Sequence, residues 1–196
     1  MIFSRKPNTS LPDYVFTERY EAIFVFEVDI IAETDPFLRC LQSFLKKIGQ
    51  ETFWVKNAGE FYLPANTQGP ALHLPIFEKC FDIYSQPPEI NKELILTYSL
   101  GKWPLYYLDI AWDGAIEGET LDWALHFERP GDLAIFGMKA AYRPFFEQTF
   151  LQDKTMLERY MTDLRFIQAW VLRDETQFQT FIRNYFPSEI EKYKKK

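Results

Sequence analysis

Residues 122–137 read DWALHFERPGDLAIFG, and this stretch decides the fold that we predict for the chain. Two runs of mostly apolar residues flank the four residues Arg129-Pro-Gly-Asp132. Proline at the second position and glycine at the third are typical of a type II turn, because proline presets a negative φ and glycine accepts a positive one. The stretch therefore predicts an antiparallel hairpin with His126 opposite Ile135.

Side chains alternate along the first strand of this hairpin. Trp123, Leu125 and Phe127 share one face, which we expect to pack on the core. His126 and Glu128 share the other face. Because antiparallel sheets commonly keep one face in water, we expect His126 and Glu128 to be solvated.

Further strands are predicted on both sides of the hairpin. Runs rich in β-branched and aromatic residues cover residues 20–31, 51–56, 93–99 and 105–112. Helical spacing also fits part of the first run, so a helix is the alternative there. Residues 57–74 show little periodicity, and we expect a long loop that carries His73 and is a candidate binding loop. Residues 113–120 are expected to form an acidic loop before the hairpin.

Helix signals occupy much of the remaining chain. Thr34-Asp-Pro36 supplies an N-cap and a first-turn proline, which predicts a helix that runs to about Ile48 and ends at Gly49. Asp174 is expected to cap a later helix that Pro187 ends. Helical spacing also predicts helices around Cys80, over residues 142–150 and over residues 153–172.

The length of 196 residues suits one domain with a substantial core, so we predict a single domain over residues 1–196. Within it, residues 1–12 are expected to be a loose lead-in and residues 188–196 a charged tail. The predicted fold class is α+β. It consists of an antiparallel sheet of about five or six strands with helices packed on one face and a C-terminal helical pair.

Cys40 and Cys80 are the two cysteines of the chain, which are too few for a disulfide scaffold. Each lies on an apolar stripe, so both are expected to be reduced and buried. No apolar run approaches the roughly 20 residues that a helix needs to cross a bilayer, and the first residues lack the apolar stretch of a signal peptide. We therefore expect a cytoplasmic protein that does not bind membranes.

The chain carries a formal net charge of −6, and 18% of its residues are aromatic. This charge argues against nucleic-acid binding, which requires basic patches that displace the counterions of phosphates, but it favours a basic protein partner. Most large apolar side chains are buried in folded proteins. We therefore expect an aromatic core, with an aromatic cavity or interface as the alternatives.

Common catalytic motifs are missing from the sequence, which contains no Walker-type loop and no GxGxxG, GxSxG, HExxH or paired CxxC pattern. We therefore predict no cofactor and no metal. The polar cluster that offers catalytic chemistry is Asp109, His126 and Glu128, because acids beside a histidine support general acid–base catalysis. A small hydrolase or isomerase that uses these residues is our second hypothesis.

Our leading hypothesis is a non-catalytic module that binds a basic protein partner. Its contact residues are expected around the acidic loop, at Trp112, Asp113, Glu117, Glu119 and Asp122. Acidic side chains steer a basic partner, and aromatic rings anchor it. Small acidic inhibitors, immunity-like proteins and regulatory proteins have this character, although the likeness is one of size and charge alone. A carrier of an apolar ligand in an aromatic cavity is a third hypothesis.

Overall fold

The computed structural model describes residues 6, 9–31, 34–57, 61–63, 72–74, 78–84, 99–100, 103–104, 113–128, 133–167, 172 and 174–193. The strands are, in chain order, β1 Ala22–Glu27, β2 Thr52–Asn57, β3 Phe61–Leu63, β4 Leu72–Leu74, β5 Glu78–Asp82, β6 Ser99–Leu100, β7 Trp103–Pro104, β8 Asp113–Gly118, β9 Trp123–Glu128 and β10 Leu133–Met138. The helices are α1 Thr34–Ile48, α2 Arg143–Thr149, α3 Lys154–Glu158, α4 Arg165–Ile167, α5 Glu175–Tyr185 and α6 Ile190–Tyr193. Short 3-10 turns occupy Val28–Ile31, Ala140–Tyr142 and Pro187–Glu189.

Six of the strands form one antiparallel sheet with the order β1-β10-β9-β8-β2-β5. The predicted α+β class is therefore confirmed. The central hairpin has the predicted register, with Leu125 opposite Phe136 and His126 opposite Ile135. Its turn, residues 129–132, lies outside the described residues.

One face of the sheet, the first face, carries an aromatic core. The helices α1, α2 and α3 pack on it, as expected for helices on one face. Phe146 of α2 lies at the centre of this core, with ring centroids 4.5 Å from Phe24, 4.8 Å from Phe136 and 4.5 Å from Phe150. Ring pairs at such distances add to the free energy of burial. Much of the aromatic content of the chain is thus used in the core.

The opposite face, the second face, is covered as well. Residues 11–20, which we call the cover segment, lie on it together with α5. Val15 and Phe16 of this segment are buried against Val25 and Ile135 of the sheet. The C-terminal helices thus lie on the face opposite α1, so the helices are not confined to one face. Both faces of the sheet are buried at β1, β10 and β9, so this part of the molecule has three layers, whereas Cys80 on the second face of β5 is exposed.

Two helices begin and end where the sequence predicts. Helix α1 spans Thr34–Ile48, and Gly49 follows it with a φ of 73°, a value that glycine adopts without strain. Helix α5 begins after Asp174, whose Oδ1 accepts a hydrogen bond of 2.7 Å from the amide of Thr176. Local capping chemistry is therefore sufficient to set these helix ends.

Residues 153–172 do not form the single helix that their spacing predicts. In the described part of this range α3 and α4 are separate helices, because Tyr160 between them forms a β-bridge with Phe26 at the edge of β1. The amide of Met161 donates to the carbonyl of Val25 over 2.9 Å. The edge strand satisfies its backbone groups through this segment, and this gain outweighs local helix propensity.

The segment around Cys80 is a strand and not the predicted helix. Strand β5 pairs with β2, and Phe81 stacks on Phe53 with ring centroids 5.5 Å apart. Cys80 therefore points to the other side and is exposed, whereas Cys40 in α1 is buried as expected. An apolar run this short fits the period of a helix as well as that of a strand, and pairing with β2 makes this one a strand.

Other predicted boundaries change in the structure. The predicted loop 57–74 contains β3 and β4, which pair with each other and place His73 opposite Tyr62. The predicted strands 93–99 and 105–112 lie mostly outside the described residues, but Leu100 and Trp103 pair across the expected hairpin connection. In the segment predicted to be a charged tail, Ile190–Tyr193 forms α6 and Tyr193 is buried.

Candidate functional site

The second face of the sheet contains a set of charged side chains in neighbouring strands, which we call the buried cluster: Lys56, Glu78, Glu117, His126 and Glu128. The strand register brings the two ends of this set close together, because Ala115 lies opposite both Lys56 and His126. Alanine offers a small side chain at this position. The polar groups of four adjacent strands, β9, β8, β2 and β5, thus lie on one face.

Lys56 is the cation at one end of the buried cluster. Its Nζ forms an ion pair with Glu117 and lies 3.3 Å from Oε1 of Glu78. Lys56 is 5% exposed and Glu117 is 2% exposed. Charges this deeply buried are tolerated when they are paired, and here one amine lies between two carboxylates.

His126 and Glu128 lie at the other end of the cluster. Nε2 of His126 is 3.5 Å from Oε2 of Glu128, and the ring of His126 meets the edge of Phe16 at a centroid distance of 6.5 Å. His126 is 0% exposed. The prediction of a solvated face for these residues is therefore wrong. It assumed that one face of the sheet stays open, but the cover segment and α5 close it.

Hydrogen bonds fix the cover segment over this end of the cluster. Oε2 of Glu128 accepts from the amide of Leu11 over 3.2 Å. The hydroxyl of Tyr185 in α5 accepts from the amide of Val15 over 3.0 Å and donates to the carbonyl of Asp13 over 2.8 Å. Burial raises the pKa of Tyr185, which keeps this hydroxyl protonated and able to donate. The contacts tie residues early in the chain to its last long helix.

The structure describes two of the three residues of the predicted catalytic set. Asp109 lies outside the described residues. His126 and Glu128 are close together, with the ring of Phe16 against His126 and the amide of Leu11 bonded to Glu128. A general acid or base must come within hydrogen-bond reach of its substrate. Across the described ranges, no three His, Cys, Asp or Glu side chains converge as metal ligands.

The predicted partner-binding residues separate into different environments. Trp112 lies outside the described residues, and Asp113 belongs to β8. Glu117 also lies in β8, where its side chain is buried against Lys56 and is not exposed as a surface contact would require. The predicted acidic loop is largely a strand, because pairing with β2 and β9 accommodates its residues. Glu119 and Asp122 remain near the surface.

Asp122 is held by neighbouring residues at the β8–β9 connection. It forms an ion pair with Lys139 and accepts from the hydroxyl of Tyr142 over 3.2 Å. The hydrogen bond from Lys139 lowers the pKa of Asp122, and the hydroxyl of Tyr142 acts in the same direction. The carboxylate of Asp122 thus joins two segments of the chain and is a weaker candidate for partner contact than Glu119.

Glu119 belongs to a surface that the sequence did not predict. We call this surface the acidic rim and define it as Glu51, Asp82, Tyr84 and Glu119, all of which are exposed. Oε1 of Glu119 accepts from the hydroxyl of Thr52 over 2.5 Å, and Thr52 lies opposite Asp82 in the sheet.

Backbone contacts hold the remaining residues of the acidic rim in place. The carbonyl of Glu51 accepts from the amide of Ile83 over 2.8 Å, and Oδ1 of Asp82 accepts from the amide of Tyr84 over 2.7 Å. Tyr84 is 60% exposed. Helical spacing had assigned Asp82 and Tyr84 to a helix, so only the pairing of β5 with β2 places them beside Glu51 and Glu119.

Comparisons with protein-family models, curated proteins and solved structures found no match to this chain. Within the part of the chain that the structure describes, none of the helices has the length and apolar character needed to cross a bilayer.

Proposed function

We propose that this chain is a non-catalytic interaction module that binds a basic protein partner through the acidic rim. The observation that carries the proposal is the 60% exposure of Tyr84, whose amide bonds to the carboxylate of Asp82 at the end of the sheet where Glu51 and Glu119 are exposed as well. Tyrosine is enriched among the residues that contribute most to binding at protein interfaces. Carboxylates around such a ring favour a partner that presents lysine or arginine.

The ring of Tyr84 already lies near a cation. Nζ of Lys46 in α1 is 5.6 Å from its ring centroid. An aromatic face attracts ammonium and guanidinium groups, and the attraction is greater where water is excluded. A lysine or arginine of the partner can use the same ring, which supports the choice of a basic partner.

The overall charge supports the same class of partner. A formal net charge of −6 raises the rate at which a basic protein encounters this chain, and it disfavours nucleic acids. Free Cys40 and Cys80 fit the reducing cytoplasm in which we place the protein. Inhibition or regulation of a basic enzyme remains our proposal for the role of the complex.

The test compares two variants of equal charge. The rim variant carries Glu51→Gln, Asp82→Asn and Glu119→Gln, and the control variant carries Glu18→Gln, Glu158→Gln and Glu191→Gln at other exposed positions. Each variant replaces three carboxylates with amides. The chain and both variants serve as baits for affinity capture with quantitative mass spectrometry.

We expect the unmodified chain and the control variant to capture the same basic proteins. The rim variant should not capture them. Tyr84→Ala should weaken the same capture about tenfold or more, whereas Phe166→Ala, which truncates an equally exposed ring, should not. Capture should also weaken as salt is raised, because exposed charges are screened. Equal retention by the rim and control variants would overturn the proposal.

A further inference from the structure

The two edges of the six-stranded sheet differ. At the β1 edge, Tyr160 pairs with Phe26, and the amide of Glu27 donates to the carbonyl of Arg159 over 3.0 Å. At the opposite edge, β5 is the last strand of the sheet among the described residues. Proteins usually cover or charge such an edge, because its backbone groups can pair with another chain.

The pattern of hydrogen bonds between β5 and β2 shows which backbone groups of β5 point away from β2. Ile83 donates to Glu51, so the pair 83/51 is a hydrogen-bonded pair of the antiparallel ladder. Hydrogen-bonded pairs recur at every second residue, so the amide and carbonyl of Phe81 also face β2. The amides and carbonyls of Glu78, Cys80 and Asp82 therefore point outward. Cys80 and Asp82 are exposed.

The side chains of these outward-facing residues also set the charge of the edge. Glu78, Cys80 and Asp82 share the second face, and two of them are carboxylates. In a symmetric antiparallel pairing of two copies centred on Cys80, Glu78 of each copy would lie opposite Asp82 of the other. Like charges directly opposite each other are destabilising, so this edge disfavours a second copy and favours a basic strand.

We propose that the partner contributes an extended basic segment that adds to the sheet as a strand along Glu78, Cys80 and Asp82. This inference rests on the proposed function and specifies its binding mode. Strand addition combines backbone hydrogen bonds with side-chain recognition at alternate positions. Lysine or arginine at every second position of the segment would lie opposite Glu78 and Asp82, next to the acidic rim.

The probe is a short acetylated and amidated peptide in which lysine and threonine alternate. When the peptide adds as an antiparallel strand with its lysine side chains on the second face, its lysine amides face β5, because the lysines are then directly opposite Glu78, Cys80 and Asp82. N-methylation of the lysine amides should therefore weaken binding at least about tenfold, whereas N-methylation of the threonine amides should not. Both modified peptides keep the full charge of the probe.

Binding is measured by fluorescence anisotropy, and amide hydrogen exchange locates it. The unmodified probe should protect the amides of Glu78, Cys80 and Asp82. Cys80→Pro should lose binding, and Cys80→Ser should keep it, since proline removes an outward amide that β2 does not use. The N-methylated peptides test the chain without substitution, so the proposal stays falsifiable if Cys80→Pro does not fold.

Two results would overturn strand addition. Equal affinity of the two N-methylated peptides, with binding still lost in the rim variant, would keep the basic partner but remove the strand. Failure of every lysine peptide to bind, with rim-dependent capture of basic proteins retained, would show that the partner docks in another way. Loss of rim-dependent capture would overturn the proposed function itself.

Discussion

The amine of Lys56 is ion-paired with the carboxylate of Glu117, and both side chains are buried in the sheet. Glu78 lies on the other side of the same amine. Removing one partner of a buried pair leaves a charge without compensation, which costs about 3–5 kcal/mol. Substitutions of Lys56 and of Glu117 should therefore change the free energy of unfolding by different amounts.

Lys56→Met should lower the free energy of unfolding more than Glu117→Gln does. The first change leaves two carboxylates close together without their common cation, whereas after the second change Lys56 still has Glu78 within 3.3 Å. The double variant should cost less than the sum of the two single changes. Guanidinium unfolding of all three variants checks this order, and a larger loss for Glu117→Gln would contradict it.

Tyr185→Phe should destabilise the protein by about 1–3 kcal/mol, because it removes a hydroxyl that satisfies the amide of Val15 and the carbonyl of Asp13. Amide hydrogen exchange at Val15 should become faster. Tyr142→Phe is the matched control, since its hydroxyl bonds to Asp122 in a partly exposed position. The prediction fails if exchange at Val15 is the same in both variants.

The buried thiol of Cys40 should make the protein less stable at alkaline pH. Burial raises its pKa from the ordinary value of 9.0 to about 12, and its thiol lies 3.6 Å from the carbonyl of Thr149, to which it donates. Above pH 9.0 the unfolded chain releases this proton while the folded chain keeps it. The contribution of the buried thiol is therefore complete below that pH and is lost as the pH rises towards about 12.

Guanidinium unfolding of the wild type and Cys40→Ala at about pH 8 and about pH 10 isolates this contribution. Between the two conditions, the wild type should lose about 1 kcal/mol more than the variant, since each pH unit between the two pKa values corresponds to about 1.4 kcal/mol. Equal losses would show that Cys40 ionises as readily in the folded chain as in the unfolded one.

Gly137→Ala should destabilise the second face of the sheet. A Cβ at this position would overlap the ring of Tyr20, which packs edge-on against Phe16 at a centroid distance of 5.0 Å. Overpacking of this kind costs about 1–3 kcal/mol. The same change in a Tyr20→Ala background should cost less, because the ring is gone. Thermal unfolding of the four chains measures the coupling, and strict additivity would refute the contact.

The elements that follow from the sequence are those with strong local signals. Asp174 and Gly49 mark helix ends through backbone chemistry, and the strands that begin at Trp123 and Leu133 pair in the register that the sequence predicts. The alternation of side chains along the strand also predicted correctly that Leu125 and His126 lie on opposite faces of the sheet. In these places a few neighbouring residues determine the structure.

The candidate surface could not be predicted in the same way. Tyr84 and Glu51 meet only because β5 pairs with β2, and no local pattern specifies that pairing. His126 is buried because residues far away in the chain cover its face. Glu117 looked like part of an acidic loop, since the sequence does not show that Lys56 would lie beside it. Non-local contacts decide each of these environments.

The cover segment has a consequence for synthesis on the ribosome. Tyr185 is separated by 170 residues from Val15, to which it bonds. Phe16 and His126 therefore cannot be enclosed in their final arrangement until α5 has been made, although the first face can be assembled earlier. A nascent chain would expose this apolar sheet face until α5 has been made, which makes early chaperone contact and slow completion of this face the expected course of its biogenesis.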